Sequence, residues 1–189
     1  IQTGRNNPSA VHWLDVAGYS DSRGILVGEV PRPTQYLYRD YVIRSLNDDK
    51  PYDRFVQEQI AGDEIWPDNL DMDGSYEMPK EKLKHLEARI ATGLFALGPE
   101  VHESNMDARK LQYEKLTDWV DTAGAAFLGL TFGCARCHDH KFDPITQRDY
   151  YRLRAVFKGA LGEYQWLPPR RIAKSDSQEA RLLPYVPPM

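Results

Sequence analysis

Cysteine is almost missing from this chain of 189 residues: there are two, Cys134 and Cys137. With no other thiol available, the pair must share one fate, in a haem, a metal site or a disulfide. An excess of one charge sign is missing too. Basic and acidic residues number 24 and 28, the formal net charge is −4, and the cations are scattered among acids. No basic stripe marks a nucleic-acid surface, so that partner class is excluded. Long hydrophobic runs are also lacking. The longest, Ala123 to Gly133, is too short and too glycine-rich to span a bilayer, so no transmembrane segment is expected. At Ile1 there is neither a basic nor an apolar leader region, and no signal peptide is visible. A start without Met is expected of a processed product or a piece of something longer. Compartment must therefore be read from the chemistry of the cysteines.

What is present is ordinary for a globular protein, 41% hydrophobic and 11% aromatic. No internal repeat occurs. "AVHWLDVAGY" (Ala10 to Tyr19) predicts a short helix, after which "SDSRG" and "VPRPTQ" read as turn and extended segments because Pro31 and Pro33 oppose helix. Leu37, Tyr41, Val42 and Leu46 recur at helical spacing from Gln35, and Asn47 and Asp48 stop that helix. Pro51 opens the next, with Phe55, Val56 and Ile60 as its stripe and Gly62 as its end. Residues 63–79 read as an acidic surface loop whose calcium-like pattern is incomplete. Pro79 starts a helix through Leu83, Leu86, Ile90, Leu94 and Leu97. A long helix from about Asp107 aligns Leu116, Val120, Ala123, Phe127 and Leu130, and delivers the chain to Cys134. Gly124 and Gly129 cost it stability but let a neighbouring surface approach. A last helix spans about Gln147 to Lys158, and the tail from Pro168 carries five prolines.

The stretch "GLTFGCARCHDHKFDP" (Gly129 to Pro144) holds both cysteines and two of the five histidines. C-x-x-C-H is the attachment signature of c-type haem. Two thiols three residues apart on one turn reach two vinyl groups of a porphyrin, and His138 follows as proximal iron ligand. The alternatives fit less well. Zinc would need Cys134, Cys137, His138 and His140 in one tetrahedral cluster, which adjacent, crowded ligands make awkward. A redox disulfide belongs after a strand in a βαβ pattern, and none precedes Cys134. The expectation is one covalently bound haem c. The fold class is mostly α: a single c-type haem-binding helical domain with extended N- and C-terminal segments. Residues 1–160 form the haem domain, and 161–189 an extended Pro-rich tail or linker.

The run "AFLGLTFGCARCHDHKFDPITQRDYYRLRAVF" (Ala126 to Phe157) resembles the second planctomycete cytochrome c-like domain. That is a domain of unknown function from large secreted multidomain proteins. The resemblance extends through "ATGLFALGP" (Ala91 to Pro99), "NDDKPYDRFVQEQIAGDE" (Asn47 to Glu64), "YRDYVIRSL" and "HWLDVAGYSDS", covering roughly residues 11–160. Gly18 departs from it, since an arginine usually precedes the tyrosine. The resemblance implies c-type haem and an extracytoplasmic place.

The function expected is an electron-transfer module, a non-enzymatic carrier inside a larger extracytoplasmic assembly, periplasmic or at the cell surface. Its partner would be a redox protein or a neighbouring haem domain. The other readings are a haem enzyme with an open sixth site, served by Arg39, Arg54 or Tyr41, and a haem-free interaction module with a C-x-x-C disulfide. For the sixth iron ligand the order of candidates is His12, then His102, then Met106. His140 lies too close to His138 to reach the opposite porphyrin face. It is expected to bond a propionate or a backbone carbonyl, and Lys141 to neutralise a propionate. Asp139 and Asp143 are expected to clamp the exit of the loop through free backbone N–H groups rather than to act as catalytic acids.

Overall fold

The computed structural model describes residues 7–25, 28–32, 34–65, 86–98 and 108–160. The protein is mostly α, as its periodicities predict. Helix α1 (Pro8–Val16) starts where Asn7 accepts the Ser9 N–H at 3.0 Å and Pro8 takes the first helical position. The missing N–H of proline costs nothing there. Gly18, at φ +69°, ends the helix by letting the Tyr19 N–H reach back to Leu14 O at 2.9 Å.

The segment read as turn and extended is an antiparallel hairpin. Strand β1 (Ser22–Ile25) pairs with β2 (Gly28–Pro31) in the register Ser22 opposite Pro31 and Ile25 opposite Gly28. Pro31 is tolerated because it closes an edge strand, where its missing donor breaks no inner ladder.

Helix α2 (Gln35–Asn47) buries Tyr38, Tyr41, Val42 and Ser45 on one face. Helix α3 (Tyr52–Ile65) runs through Gly62 rather than stopping there, with non-helical angles at Ala61. Gly62 has a packing role instead. A Cβ at this position would lie 2.2 Å from Ala88 O on α4 (Leu86–Ala91), so only glycine allows this approach. The helix expected from Pro79 to Leu97 is regular only over α4 within the described residues. It then tightens into a 3-10 turn, Thr92–Ala96, where the Thr92 hydroxyl bonds Arg89 O at 2.8 Å. The start at Pro79 lies outside the described residues, as do most of the acidic loop and the tail.

Helix α5 (Ala108–Ala123) does not run on to Cys134. It widens into a single π turn, Gly124–Leu128, and ends at Gly129, which adopts φ +65°. Leu130 N–H closes the wide turn on Gly124 O at 3.1 Å. Gly124 does admit a neighbour, the Phe132 ring, whereas a Cβ on Gly129 would meet nothing within 4 Å. The chain then makes a short 3-10 turn, Gly133–Arg136, and a loop leading to α6 (Gln147–Ala160).

Two apolar clusters result. The first unites α1 to α4 around Ala10, Tyr38, Tyr41, Val42, Phe55, Ala91 and Leu94. Beside it, Glu58 is buried yet ionised. Burial alone would raise its pKa, but Lys50 at 2.6 Å, Arg54 at 2.7 Å and the Tyr41 hydroxyl at 2.9 Å outweigh that and lower it. The second cluster packs α5 and α6 around Trp119, Val120, Phe132, Ala135, Tyr150 and Phe157. Phe127 packs against both, 5.6 Å from Trp13 of α1. Phe95 ties the 3-10 turn to the second cluster, its ring 4.8 Å from Trp119 and its carbonyl accepting the indole N–H at 2.9 Å. Among the described residues no helix is long and apolar enough to cross a membrane.

Candidate functional site

The C-x-x-C-H segment is built on the second cluster. Phe132 is buried and its carbonyl accepts the Ala135 N–H at 2.9 Å, which starts the 3-10 turn. Ala135, the first residue between the cysteines, is fully buried. Anchoring that methyl inward leaves Cys134 and Cys137 on the outside, and both are exposed, free thiols. Cys134 O receives the N–H groups of Cys137 at 3.3 Å and His138 at 3.5 Å, so the five residues fold as one unit. Helix α6 fixes the turn from the side. Arg136 O accepts from Gln147 Nε2 at 3.2 Å and from the Tyr151 hydroxyl at 3.3 Å. The Arg136 guanidinium is held charged, first by its hydrogen bond to Cys137.

His138 is exposed, and its Nδ1 lies 2.7 Å from Asp139 O. A carbonyl oxygen only accepts, so Nδ1 carries a proton in this contact, and in the neutral imidazole the lone pair is then on Nε2. The next turns are locked by His140. Its side chain is 8% exposed, and its Nδ1 accepts the Asp143 N–H at 2.9 Å and the Phe142 N–H at 3.4 Å. The backbone contact of His140 is thus with amide donors rather than with the carbonyl expected from sequence. Lys141 is exposed, its Nζ 5.2 Å from the centre of the Phe142 ring.

The clamp expected of "DHKFDP" is present at Asp139, whose Oδ1 accepts the Gln147 N–H at 2.7 Å, at the first residue of α6. Asp143 contributes through its backbone, its carbonyl accepting the Ile145 N–H at 2.7 Å. A capping box completes the entry. Thr146 Oγ1 accepts the Asp149 N–H at 3.1 Å, and Asp149 Oδ2 accepts the Thr146 N–H at 3.2 Å.

Cys134, Cys137 and His138 are therefore brought together, with His140 and Lys141 on the loop that follows. His12 is exposed on α1, while its neighbour Trp13 turns inward to bond the Tyr38 hydroxyl at 3.0 Å. His102 and Met106 lie outside the described residues. Among the described residues no three His, Cys, Asp or Glu side chains converge on a common metal position. The zinc cluster of Cys134, Cys137, His138 and His140 is not formed, since His140 Nδ1 is spent on the backbone. The donor set fits covalent haem instead: two outward thiols on one turn, then an imidazole with a free Nε2.

Two half-buried aspartates of α5 stand out, Asp118 against Gly98 and Asp121 near Gly133 of the turn. Burial, and then Asp121, push the Asp118 carboxyl up to about 6. Burial also raises Asp121, against the nearby Arg136, and both its carboxylate oxygens lie 3.8 Å from where a Gly133 Cβ would be. Their three-residue spacing, beside the apolar positions Leu116, Trp119 and Val120, is the signal that could have marked them as half-buried.

No curated protein and no solved structure matches the chain. A family model does: PSCyt2, described as a protein of unknown function (DUF1549), matches residues 6–161. That span takes in every described residue, from the cap of α1 through the C-x-x-C-H turn to the end of α6. The chain belongs to PSCyt2, a planctomycete cytochrome c-like family whose function is unknown.

Proposed function

We propose that this protein is a c-type haem-binding electron-transfer module working within a larger extracytoplasmic assembly. The observation that carries this reading is the Nδ1 contact of His138 with Asp139 O at 2.7 Å. It favours the Nδ1–H tautomer, whose Nε2 lone pair can face a metal, the arrangement that second-shell hydrogen bonds give to metal-bound histidines. The exposed thiols of Cys134 and Cys137 support it. Cys134 and Cys137 would hold a haem covalently, each S–H adding across one vinyl group without an oxidant, and His138 would offer its Nε2 to the iron. Bound there, haem supplies an iron that takes up and gives back one electron. The chain's own contribution is to hold the imidazole ring, to keep both thiols outward through buried Ala135, and to pin the loop through His140 and Asp139. Covalent attachment of this type is completed outside the cytoplasm, hence the extracytoplasmic placement.

The protein, produced alongside haem-attachment machinery, should give a haem-stained band on denaturing electrophoresis. His138→Ala should keep the stain but turn the spectrum high-spin. An unstained band with a Cys134–Cys137 disulfide would end the reading in favour of a haem-free interaction module. The solvent exposure of His12 on α1 favours a second reading, a haem enzyme with an open sixth site. Carbon monoxide decides between them: a ferrous spectrum that ignores it belongs to an electron carrier, and a shifted Soret band to the open site.

A further inference from the structure

Behind the C-x-x-C-H turn lies a row of polar side chains that the haem reading leaves unused. Tyr113, Thr117 and Asp121 recur every fourth residue and so share one face of α5. Two contacts fix α6 along that face. The Tyr150 phenol, wholly buried, is set against the Thr117 hydroxyl, and the Arg154 guanidinium lies 4.2 Å from the centre of the Tyr113 ring. Tyr150 and Arg154 are one turn apart, so α6 runs antiparallel to α5 along the row. Asp121 therefore falls at the end where α6 begins. There the cysteine-bearing turn crosses it. Both Asp121 oxygens lie 3.8 Å from the position of a Gly133 Cβ, and Gly133 directly precedes Cys134.

Asp121 is poorly provided for. Its Oδ1 is buried and accepts no hydrogen bond among the described residues. Burial raises its pKa, and the opposing charge of Arg136 does not make up the difference. Three ionisable groups face it. Asp118, one turn back on α5, is a like charge, and Arg136 comes from the turn. Tyr150 comes from α6 and stays neutral, its phenol raised first by burial. An under-satisfied carboxylate in a native fold calls for a reason, and a charge kept beside a redox centre supplies one.

We infer, resting on the haem reading above, that Asp121 takes up a proton when the centre on the turn is reduced and releases it on oxidation, which links the potential to pH. Phe132, Ala135 and Tyr150 are buried around this end of the seam, so charges there are less screened than in solvent. Oxidation adds one positive charge to the centre. Ionised Asp121 stabilises that charge, and protonated Asp121 does not. By reciprocity Asp121 gives its proton to solvent when the centre is oxidised and regains one when it is reduced. The balance closes. One electron comes from an external one-electron donor and one proton from water, and the only bond made is the O–H of Asp121. Its side chain is partly open to solvent, so that proton exchanges directly.

The test is the midpoint potential of the holoprotein, measured from about pH 4 to about pH 9. It should fall as pH rises through the Asp121 titration, by about 59 mV in all, the equivalent of a tenfold difference in proton affinity between the two oxidation states. Asp121→Asn should abolish the fall and hold the potential near the value that the parent shows at low pH. Arg136→Gln, an independent variant, should move the fall to higher pH, because the cation that opposes burial is gone. Asp118→Asn should keep the fall. A parent potential that is flat with pH, or a fall of the same size in Asp121→Asn, overturns the inference, while a normal Soret band leaves the haem reading standing. A protein without a Soret band sinks both.

A second measurement needs no haem. Carbon-13 NMR of the haem-free protein should show the Asp121 carboxyl titrating above the ordinary aspartate range, and higher still in Arg136→Gln. An Asp121 that titrates together with the exposed aspartates overturns the inference as well.

Discussion

Replacing Gly124 with alanine puts a methyl group where there is no room for one. Its Cβ would lie 2.4 Å from Cδ2 and 3.0 Å from Cε2 of Phe132, and 3.2 Å from Leu130 O. Phe132 cannot yield freely, because its ring is buried in the second cluster and its carbonyl begins the turn that carries the cysteines. Overpacking on this scale costs about 1–3 kcal/mol. Alanine in a helical segment returns up to about 1 kcal/mol relative to glycine. The net expectation is a loss of about 1–2 kcal/mol, or roughly 3–6 °C in Tm for a chain of this size. Thermal and urea unfolding followed by far-ultraviolet circular dichroism measure it directly. Gly129→Ala is the comparison, since it meets no atom within 4 Å and pays only for φ +65°. A Gly124→Ala protein as stable as the parent would refute the packing argument, because helix propensity alone favours the substitution.

Two further perturbations probe α5 and α6. Burial and then Asp121 raise the Asp118 carboxyl to about 6, so the folded state holds this proton more tightly than the unfolded chain, whose aspartates titrate near 4. Stability should therefore fall as pH climbs from about 4 to about 6, and Asp118→Asn should flatten that slope and stabilise the protein at pH 7; urea midpoints at pH 4.5 and 7 that move in parallel for both proteins would contradict it. Thr146→Ala removes the hydroxyl that caps α6 and should cost about 1 kcal/mol. Faster amide exchange confined to the first turn of α6 is the expected signature, and unchanged exchange counts against the cap.

The sequence disclosed what depends on side-chain spacing alone. Helices α2 and α6 were legible because Tyr41 and Val42, or Leu153 and Phe157, recur at the period of a buried stripe. The C-x-x-C-H turn was legible because its spacing is itself the chemistry, and Asp139 because an aspartate before a helix entry has a free N–H to accept. Elements set by distant partners were hidden. The hairpin lacks an alternating pattern, with Gly24, Gly28 and Pro31 among its eight paired residues. The end of α5 was invisible because Leu116 to Leu130 continue the helical period, and only the return of Phe132 onto Gly124 shows that the helix has opened. Gly62 looked like a terminator because its true neighbour, Ala88, is 26 positions away. His140 reads in sequence as a partner for a propionate or a backbone carbonyl, yet the fold spends it on two amides of its own loop.

The π turn at Gly124–Leu128 holds one residue more than an α turn would. An added residue shifts the phase of everything after it by about 100° around the axis. Before the shift, Val120 and Ala123 look into the second cluster; after it, Phe127 reaches Trp13 in the first as well. The inserted position thus sets one of the links between the two clusters, beside that of Phe95 with Trp119. Removing one residue there would restore an ideal helix and turn Phe127 out of the seam, an effect that substitution of the same residue would not reproduce.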